Sequence, residues 1–588
     1  MRRLSVLLFG FLCFLLATPA HPSPFNQKQG GTNTDVVQAK GTVTTSDGAK
    51  FFGDKPWVSA VGYGAVRDGT TDDVTAINSA VTSLGAAGGT VLFAPGVYRV
   101  NSAINLASNV RLLGATGAVI KTTAQGGFVA AISASAVNNV SVENLEITAD
   151  GTNVLQNGIL ISGCTRVWLL HNYLHDIPEH GITMTLATTE FVIDHNIIET
   201  TDSNSDAVGV GMFGVFEGSG YGTISNNVLR NIFGGAIVLD AGTSGGAGVP
   251  GFNVAVTGNT VSFTGGGGLV ITGVNSVTAT GNMFVQIGEK TNTTARAITI
   301  ARDSGNSTNA VSQRIVIVGN VIDRTTDHAI FIDGASDFLI ADNLIFDTGR
   351  LSPPPGSGYG ILLSTASGTT SRGQVKNNHV RYSGSGGVLT AAVLLNTGVT
   401  SVVTAGNTMS GSDGTYGVVR DLSASATNVV GGNTDLTAGV TQPVGFRGFV
   451  DMADHVLTGS TSQTDLSTYP LNADLMGVSA RLRVSVAGTT AGSAGTKTVK
   501  VFFGNASANV LASSTAGTFQ ATVDIDNTTV SAQRWNVLGY LGTTIDQNTY
   551  QTSAVSTGAG GVTVKCTGTL VNAADTITLT KFTVEVVR

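Results

Sequence analysis

The chain has 588 residues, 42% of them apolar, and a mean hydropathy of +0.24, which excludes overall disorder because this much apolar material supports a large core. Charged residues make up only 12%, about half of the ~25% found in average domains, which disfavours charge-rich helical architectures. The net charge of −7 comes without any basic block, so nucleic acid is not an expected partner. The length predicts two or more domains.

The first 20 residues have the pattern of a secretory signal peptide. Arg2 and Arg3 precede an apolar run from Leu4 to Ala17, and small residues surround Ala20. The run is shorter than the roughly 20 apolar residues of a membrane-spanning helix. We therefore expect cleavage near Ala20, a secreted protein in the extracellular space or the periplasm, and no membrane association after cleavage.

The three cysteines do not form a disulfide framework. Cys13 lies in the signal peptide, and the remaining two, Cys164 and Cys566, are far apart in sequence. We expect them to lie in different domains and to remain unpaired.

The middle of the chain is an irregular repeat marked by asparagine. The residues five and three positions before each asparagine and two after it are usually apolar, and the intervals run from 23 to 38 residues. Rigid helical repeats rarely vary so much in length. The nine asparagines are Asn172, Asn196, Asn227, Asn259, Asn282, Asn320, Asn343, Asn378 and Asn407.

A short strand with two inward apolar residues precedes each asparagine, and a small residue stands just before the first of the two. The inward pairs are Ile159 and Ile161, Ile182 and Met184, Val208 and Val210, Ile237 and Leu239, Leu269 and Ile271, Ile298 and Ile300, Ile330 and Ile332, Ile361 and Leu363, and Val393 and Leu395. The small residues are Gly158, Gly181, Ala207, Ala236, Gly268, Ala297, Ala329, Gly360 and Ala392. Period-two strands, three to a repeat with a tight corner, predict a parallel β-helix whose rungs are about 4.8 Å apart. The asparagines would stack at an inner corner and satisfy turn backbone groups.

Residues 62–100 resemble the opening of the pectate lyase-like superfamily, which includes secreted polysaccharide-degrading enzymes and phage tailspikes. Their DGTTDD motif, Asp68 to Asp73, precedes a short amphipathic helix with Ala76, Ile77, Ala80 and Val81 on one face. The resemblance, which with the repeats covers residues 55–435, implies a right-handed single-stranded β-helix whose open end is capped by this helix. We expect Asp68, Asp72 and Asp73 to be turn and helix-cap groups.

The pattern changes beyond Asp435 to longer alternating strands, such as KTVKVFF and ITLTKFTVEVV, which predict an antiparallel β-sandwich. The expected order is a signal peptide (1–20), an N-terminal extension (21–54), the β-helix (55–435), a linker (436–445) and the sandwich (446–588). The last segment loosely resembles jelly-roll-like modules of phage tail proteins, which implies glycan binding, a role in oligomerisation or a plain cap for the β-helix.

The superfamily resemblance implies that substrate lies along the face formed by the first strand of each coil. The inward residue and the asparagine are 22 residues apart in the coils of Ile237 and Ile298, against 13 in those of Leu269 and Ile330. Longer connections there would form the walls of a cleft over residues 237–333. They lie near 241–252 and 302–314 on one side and near 285–296 and 346–359 on the other.

The expected cleft contains candidate catalytic and substrate-binding residues. Asp303 and Asp333 lie on adjacent rungs, so they satisfy the 5 to 9.5 Å separation of an acid–base pair in glycoside hydrolysis, whereas Asp240 and Asp333 are about 14 Å apart. Arg296 or Arg302 would hold and neutralise a sugar carboxylate, as an elimination also requires. Solvated surface charge is the alternative role for each. The predicted substrate-binding residues are Arg296, Arg302, His328 and Asp240.

A second concentration of titratable residues competes with this cleft. The repeat stacks His171 on His195 and places His175 near Glu199, which is compatible with purely structural corner residues. It also places His180 near Asp206, an arrangement typical of a base oriented by a carboxylate. His180 and Asp206 are therefore the alternative catalytic candidates.

A calcium site remains open within this concentration. Asp202, Asn204 and Asp206 offer oxygen ligands at alternate positions, although the glycine and the distal glutamate of an EF-hand are missing. No other metal and no cofactor is expected.

The leading hypothesis is an exported enzyme that cleaves a polysaccharide, expected to be acidic, by β-elimination or hydrolysis. The alternative is a non-catalytic glycan-binding protein, either an adhesin or a tailspike-type receptor-binding protein, for which the signal peptide is less expected. We expect a monomer or a trimer.

Overall fold

The structure is a computed structural model of the full chain. It describes residues 56–123, 130–149, 157–199, 208–212, 220–241, 252–291, 294–302, 311–350, 358–383, 389–411, 418–423, 425, 427–436, 440–442, 448–471, 481–529, 531–556 and 562–587. The predicted signal peptide and N-terminal extension lie outside these residues, as do most of the predicted cleft-wall loops.

Residues 57–435 form a parallel β-helix, as predicted, because successive coils return to the same three sheets. The strands of sheet A are Trp57–Ser59, Gly89–Phe93, Val110–Gly114, Asn138–Glu143, Thr165–Leu170, Thr189–Asp194, Gly220–Ser225, Phe252–Thr257, Asn275–Thr280, Ser312–Val318, Ala335–Ala341, Ser371–Lys376, Thr400–Ala405 and Val429–Gly431. Those of sheet B are Asp68–Asp72, Gly96–Val100, Ala118–Thr122, Glu146–Ala149, Tyr173–His175, Ile197–Glu199, Val228–Arg230, Thr260–Thr264, Met283–Ile287, Val321–Thr325, Leu344–Phe346, His379–Arg381, Thr408–Ser410, Asn433–Asp435 and the antiparallel Val440–Gln442. Those of sheet C are Ile104–Asn105, Ala130–Ser135, Asn157–Ser162, His180–Thr185, Val208–Met212, Ile237–Asp240, Leu269–Thr272, Ile298–Ala301, Ile330–Asp333, Gly358–Ser364, Leu389–Leu395 and Val419–Asp421.

A helix closes the N-terminal end of the coil. It spans Val74–Ser83, follows a 3₁₀ turn at Val61–Tyr63, and buries the predicted apolar residues Ile77, Ala80 and Val81. Asp73 is buried and accepts backbone hydrogen bonds from Val66 and Arg67, at 2.6 and 2.9 Å. The predicted structural role of this motif is confirmed.

Asp68 and Asp72 shape the chain just before that helix. Asp68 accepts the backbone N–H groups of Thr70 and Thr71, at 2.8 and 2.7 Å. These hydrogen bonds hold the pKa of Asp68 well below its usual range. Asp72 accepts the N–H of Val74 at the first turn of the helix. Both are turn or helix-end groups, as predicted.

The asparagines form a continuous buried ladder. The Nδ2 of Asn172 donates to Oδ1 of Asn196 at 3.0 Å and to the carbonyl of Val142 at 2.8 Å, and its backbone N–H donates to the same Oδ1 at 2.9 Å. The amide-to-amide and backbone bonds recur at every later step as far as Asn433, an additional member that the repeat frame does not include. Each rung therefore satisfies the corner of its neighbour without burying a charge.

The predicted inward pairs form the core beneath sheet C. Ile298, Ile300, Ile330 and Ile332 are fully buried and stand in register on neighbouring strands. The position just before each inward pair must be small, as Gly268 shows. A Cβ on Gly268 would lie 2.5 Å from the Phe284 ring and 2.7 Å from a backbone carbonyl oxygen.

One coil departs from the predicted register. His180 pairs with Val208 and Ile182 pairs with Val210, so Val210 and Met212, rather than Val208 and Val210, continue the predicted inward pairs. The prediction was wrong by two residues because alternate positions from 208 to 212 are all apolar, and a period-two pattern cannot detect a two-residue slip. The predicted small residue Ala207 lies outside the described part of the chain.

The C-terminal residues form two antiparallel sheets around a separate core that contains Trp535, Phe503 and Phe582. Sheet D contains Gly448–Asp451, His455–Leu457, Arg481–Ala491, Gly517–Thr529, Ala532–Leu541, Thr544–Ser553 and Thr576–Val587. Sheet E contains Thr464–Leu471, Lys497–Phe503, Ala506–Ser513 and Val562–Leu570. Cys164 is buried in the β-helix and Cys566 in this second core, both as free thiols. Within the described ranges, no helix has the length and apolar character to cross a membrane.

Candidate functional site

The outer face of sheet C is the surface on which the first-strand residues of each coil line up. Val270, Thr299 and Phe331 occupy one row along the axis and are half-buried. A second row runs from Asp240 through two intervening strands to Asp333, three rungs away as predicted. The two rows run along the coil axis and present apolar and hydroxyl groups, with a carboxylate at each end of the second row.

Arg296 is fixed at the edge of this floor by two contacts. Its Nε donates to Oδ2 of Asp327 at 2.8 Å, and the guanidinium carbon lies 3.8 Å from the ring centroid of Phe331. The salt bridge and the cation–π contact hold the planar guanidinium in one orientation. Because 34% of the Arg296 side chain remains exposed while Asp327 is buried, the group has one face toward the protein and another toward solvent.

Asp327 was not among the predicted site residues. Its carboxylate also lies 3.4 Å from Nε2 of His328, so two predicted binding residues, Arg296 and His328, share one buried anion. Its position immediately before His328, at the start of a sheet C strand on the next coil, was the available sequence signal.

Burial favours the neutral form of His328. Removal from solvent is the largest influence and lowers the pKa of His328 below the ordinary value of 6.5, while Asp327 acts in the opposite direction and Arg296 in the same one. The ring packs against Phe331 and Tyr359, with centroid distances of 6.4 and 5.6 Å. Arg296 Nε lies closer to the Asp327 carboxylate than His328 Nε2 does, at 2.8 Å against 3.4 Å.

Tyr359 extends this cluster toward the C-terminal coils. Its hydroxyl accepts a hydrogen bond from Nη1 of Arg420 at 2.9 Å, and its ring is buried against Ala391 and Leu394 on the outer side of sheet C. The face is therefore covered by apolar side chains beyond Phe331, whereas Val270, Thr299 and Phe331 keep part of their surface exposed. These three residues lie on coils predicted to carry the cleft, whose connections at 242–251, 303–310 and 351–357 lie outside the described residues.

Asp333, a predicted catalytic residue, is buried and bonded to the next coil. It is 4% exposed, and its carboxylate accepts hydrogen bonds from the backbone N–H and the Oγ of Ser367, the latter at 2.7 Å. These bonds connect the carboxylate to the turn of the next coil. Its predicted partner Asp303 lies outside the described residues.

Arg302 packs along the backbone beside Asp333. Its N–H donates to the Asp333 carbonyl at 2.9 Å. Its side chain covers Gly334 and Gly368, since a Cβ on Gly368 would lie 2.9 Å from Nη1 of Arg302. This arginine therefore supports two coils at the edge of the floor. Asp240, the fourth predicted binding residue, is half-buried at the end of its strand.

The histidine-rich segment is distributed around the coil rather than gathered in one site. His171 and His195 stack at the corner between sheets A and B, with ring centroids 5.2 Å apart, as predicted. His175 is paired in register with Glu199 on sheet B, also as predicted, and its Nδ1 lies 2.7 Å from Oδ2 of Asp176.

His180 lies on sheet C and is paired in register with Val208. The predicted neighbour Asp206 lies outside the described residues. The other two calcium candidates, Asp202 and Asn204, also lie outside them. Across the described ranges, no three acidic, histidine or cysteine side chains are grouped closely enough to hold a metal ion.

Comparison with known proteins identifies similar families and folds. The family model described as rhamnogalacturonase A/epimerase, pectate lyase-like, matches residues 57–326, and the right-handed β-helix region model matches residues 246–413. No curated protein gives a sequence match.

Three solved structures illustrate the similarity. An A-module of a mannuronan C-5 epimerase from Azotobacter vinelandii is 19% identical with a TM-score of 0.51, over 64% of this chain and 98% of that one. An exopolygalacturonase from Thermotoga maritima is 14% identical with a TM-score of 0.41, over 66% and 94%. The surface adhesin PfbA of Streptococcus pneumoniae is 16% identical with a TM-score of 0.44, over 63% and 94%. At these identities the likeness is one of fold.

Proposed function

The chain contains a right-handed β-helix of the pectate lyase-like superfamily, and from this premise we propose that it is an exported enzyme that cleaves an acidic polysaccharide along the outer face of sheet C. The family name, which includes rhamnogalacturonase and epimerase, supports a polysaccharide ligand. The similar mannuronan epimerase module acts on an acidic one. The N-terminal signal pattern supports export.

The observation that carries the proposal is the orientation of Arg296. A guanidinium offers N–H donors in a planar fork that matches a carboxylate. One donor of Arg296 is used by Asp327, the Phe331 ring supports one face of the group, and part of the side chain is still exposed over sheet C. An arginine held in this way binds a sugar carboxylate at little cost in side-chain entropy.

Carboxylate binding favours elimination over hydrolysis. Neutralising the carboxylate of a uronate stabilises the negative charge that develops when a base removes the proton on C5. The C5–H electron pair then forms the C4–C5 double bond, and the glycosidic oxygen on C4 leaves with its electron pair and takes up a proton. Hydrolysis requires two carboxyl groups at a suitable separation, and Asp333 is buried with both oxygens bonded to Ser367.

The test measures two products from a panel of acidic polysaccharides, namely the ultraviolet absorbance of unsaturated uronates and the release of reducing ends. Arg296→Gln should lower the rate of elimination by about 10²-fold or more, as expected for removal of a charge-stabilising donor. Arg296→Lys should recover part of this loss. Arg314→Gln is the matched control, because Arg314 is exposed on sheet A and donates to Ser276.

The products distinguish elimination, hydrolysis and binding without catalysis. Unsaturated products that depend on Arg296 and not on Arg314 support the proposal. Reducing ends without unsaturation would replace elimination by hydrolysis. Binding without either product would favour the glycan-binding alternative, and absence of binding to every acidic polymer would contradict the proposal.

A further inference from the structure

A groove crosses the outer face of sheet D in the C-terminal sandwich. It has a volume of about 240 Å³ and passes over the strands Arg481–Ala491, Gly517–Thr529, Ala532–Leu541 and Thr576–Val587. Lys581, Ala487, Gln520 and Tyr540 stand opposite one another on these four strands, so the groove runs across them for about 14 Å, three strand spacings. The small Ala487 forms the floor between the longer side chains.

The polar side chains in the groove are available for a ligand. Ser485, Gln520, Thr522, Tyr540 and Lys581 line it, and none of their side chains has a hydrogen bond or salt bridge to any residue that the structure describes. Farther along the same strands, on the same sheet face, the polar side chains are paired with one another. Arg483 and Arg481 form bidentate pairs with Asp524 and Asp526, at 2.6 to 3.1 Å. One sheet face therefore carries a fully paired region beside an unpaired one.

The backbone is irregular where Lys581 enters the groove. The register between the strands of Ala487 and Lys581 shifts by one residue at this point, which leaves Thr580 as an extra residue in its strand. Thr580 Oγ1 donates to the Ala487 carbonyl at 3.2 Å and fixes the bulge. Bulges of this kind change the direction of a neighbouring side chain and are frequent next to binding sites.

From these observations we propose that the groove is a second saccharide-binding site, specific for an acidic sugar. The Tyr540 ring packs on the apolar face of a sugar, the amide and hydroxyl groups bind its hydroxyls, and Lys581 binds its carboxylate. The volume is below the roughly 300–1,000 Å³ of pockets for larger ligands, so the site takes one or two sugar rings of a chain. The choice of an acidic sugar rests on the function proposed for sheet C. Binding of a sugar in the groove does not depend on cleavage at sheet C.

A site of this type increases the time that the enzyme stays on its polymer. Binding at the groove makes encounter with sheet C intramolecular, which raises the effective concentration of the substrate without any new contact at the site of cleavage. The chain would then need only modest affinity at each site.

The test is hydrogen exchange of the full chain with a saturated galacturonate tetramer, followed at the strands Gly517–Thr529, Ala532–Leu541 and Thr576–Val587. Binding should slow exchange there. Tyr540→Ala and Lys581→Gln should each raise the half-saturating concentration by about 10-fold, the effect expected for loss of an anchoring contact. Tyr550→Ala and Lys500→Gln are matched controls, because Tyr550 is exposed on the same face beyond the groove and Lys500 lies on sheet E.

The outcomes separate this site from the one on sheet C. Arg296→Gln should leave protection of sheet D unchanged even if it abolishes cleavage, so failure of the first proposal does not remove the second. Absence of protection in the wild-type chain, equal protection in Tyr540→Ala and Lys581→Gln, or equal protection by a neutral xylose tetramer would each overturn the proposal. Thermal melting of both groove variants controls for folding, and Lys581→Gln changes only a half-exposed side chain.

Discussion

The β-helix and the C-terminal sandwich both repeat one polar contact, but the β-helix buries it on successive coils and the sandwich repeats it between two strands on a partly exposed sheet face. The buried ladder consists of neutral asparagine amides, from Asn172 to Asn433. The exposed pairs are Arg481 with Asp526 and Arg483 with Asp524. Removing a charge from water is expensive, and an exposed ion pair loses most of its strength to solvent. The amide ladder therefore fills its buried corner without the cost of burying charge, and the loss of any one amide leaves buried groups without partners.

The largest effect is expected in the apolar core beneath the buried ladder. The double variant Ile298→Ala with Ile300→Ala should lose about 4 to 10 kcal/mol of unfolding free energy, since one buried large-to-small change costs about 2 to 5. Both side chains are fully buried. Urea unfolding measures the loss, and Thr299→Ala on the same strand, with its side chain half-exposed, is the control. A double variant as stable as this control would contradict the assignment of inward and outward positions.

Removing one amide from the buried ladder should have the next largest effect. Asn282→Ala removes the side-chain bonds to Asn320, Asn259 and Val256 and leaves the Asn259 N–H and the Val256 carbonyl without these partners in a fully buried corner, while the backbone N–H of residue 282 can still donate to Asn320. Unsatisfied buried groups cost about 1 to 3 kcal/mol each, so we expect a loss of about 2 to 4 kcal/mol. The same unfolding experiment measures it. A loss below 0.5 kcal/mol would mean that the ladder contributes no more than exposed pairs do.

The exposed pairs should contribute much less. Arg483→Gln removes a bidentate pair whose arginine is 42% exposed, and such pairs are worth about 0 to 1 kcal/mol. The effect should shrink further in high salt. A loss equal to that of Asn282→Ala would remove the distinction between the two regions.

The smallest effect is expected at the buried histidine of the candidate site, where the change is in pH dependence. Burial lowers the pKa of His328 in the folded state below 6.5, so the unfolded chain binds the proton more strongly. Stability is therefore retained above about pH 6.5 and falls as the pH decreases toward the lower, folded-state value. His328→Gln should reduce this fall. Unfolding midpoints at neutral and mildly acidic pH compare the two proteins, and identical slopes would contradict the assignment.

The β-helix fold could be predicted from the sequence because its pattern of apolar residues and asparagines is local and is repeated from coil to coil. Nine asparagines share one frame, and the structure places all nine in the ladder. Asn433 was missed because Asn428 and Asp435 occupy positions of the frame that are usually apolar. The register slip at 208–212 has the same kind of cause, since Val208, Val210 and Met212 are equally good inward residues.

The candidate site was less predictable because its contacts join different coils. Asp333 and Ser367 are 34 residues apart, and nothing near Asp333 in sequence indicates that its carboxylate is already bound. The Arg296–Asp327 bridge spans 31 residues through a coil connection of irregular length. Arg296 and His328 could be proposed because both lie at the edges of predicted strands. The contact of both with the Asp327 carboxylate depends on how the coils are aligned in the folded chain.

The central claim is that an acidic polysaccharide lies along sheet C with a carboxylate on Arg296. A crystal structure of the chain with a bound galacturonate oligomer tests this most directly. The account predicts an extended oligomer over Val270, Thr299 and Phe331, with one carboxylate in bidentate contact with the Arg296 guanidinium. An oligomer bound to sheet A or sheet B, or at His180 with Arg296 left in water, would contradict it.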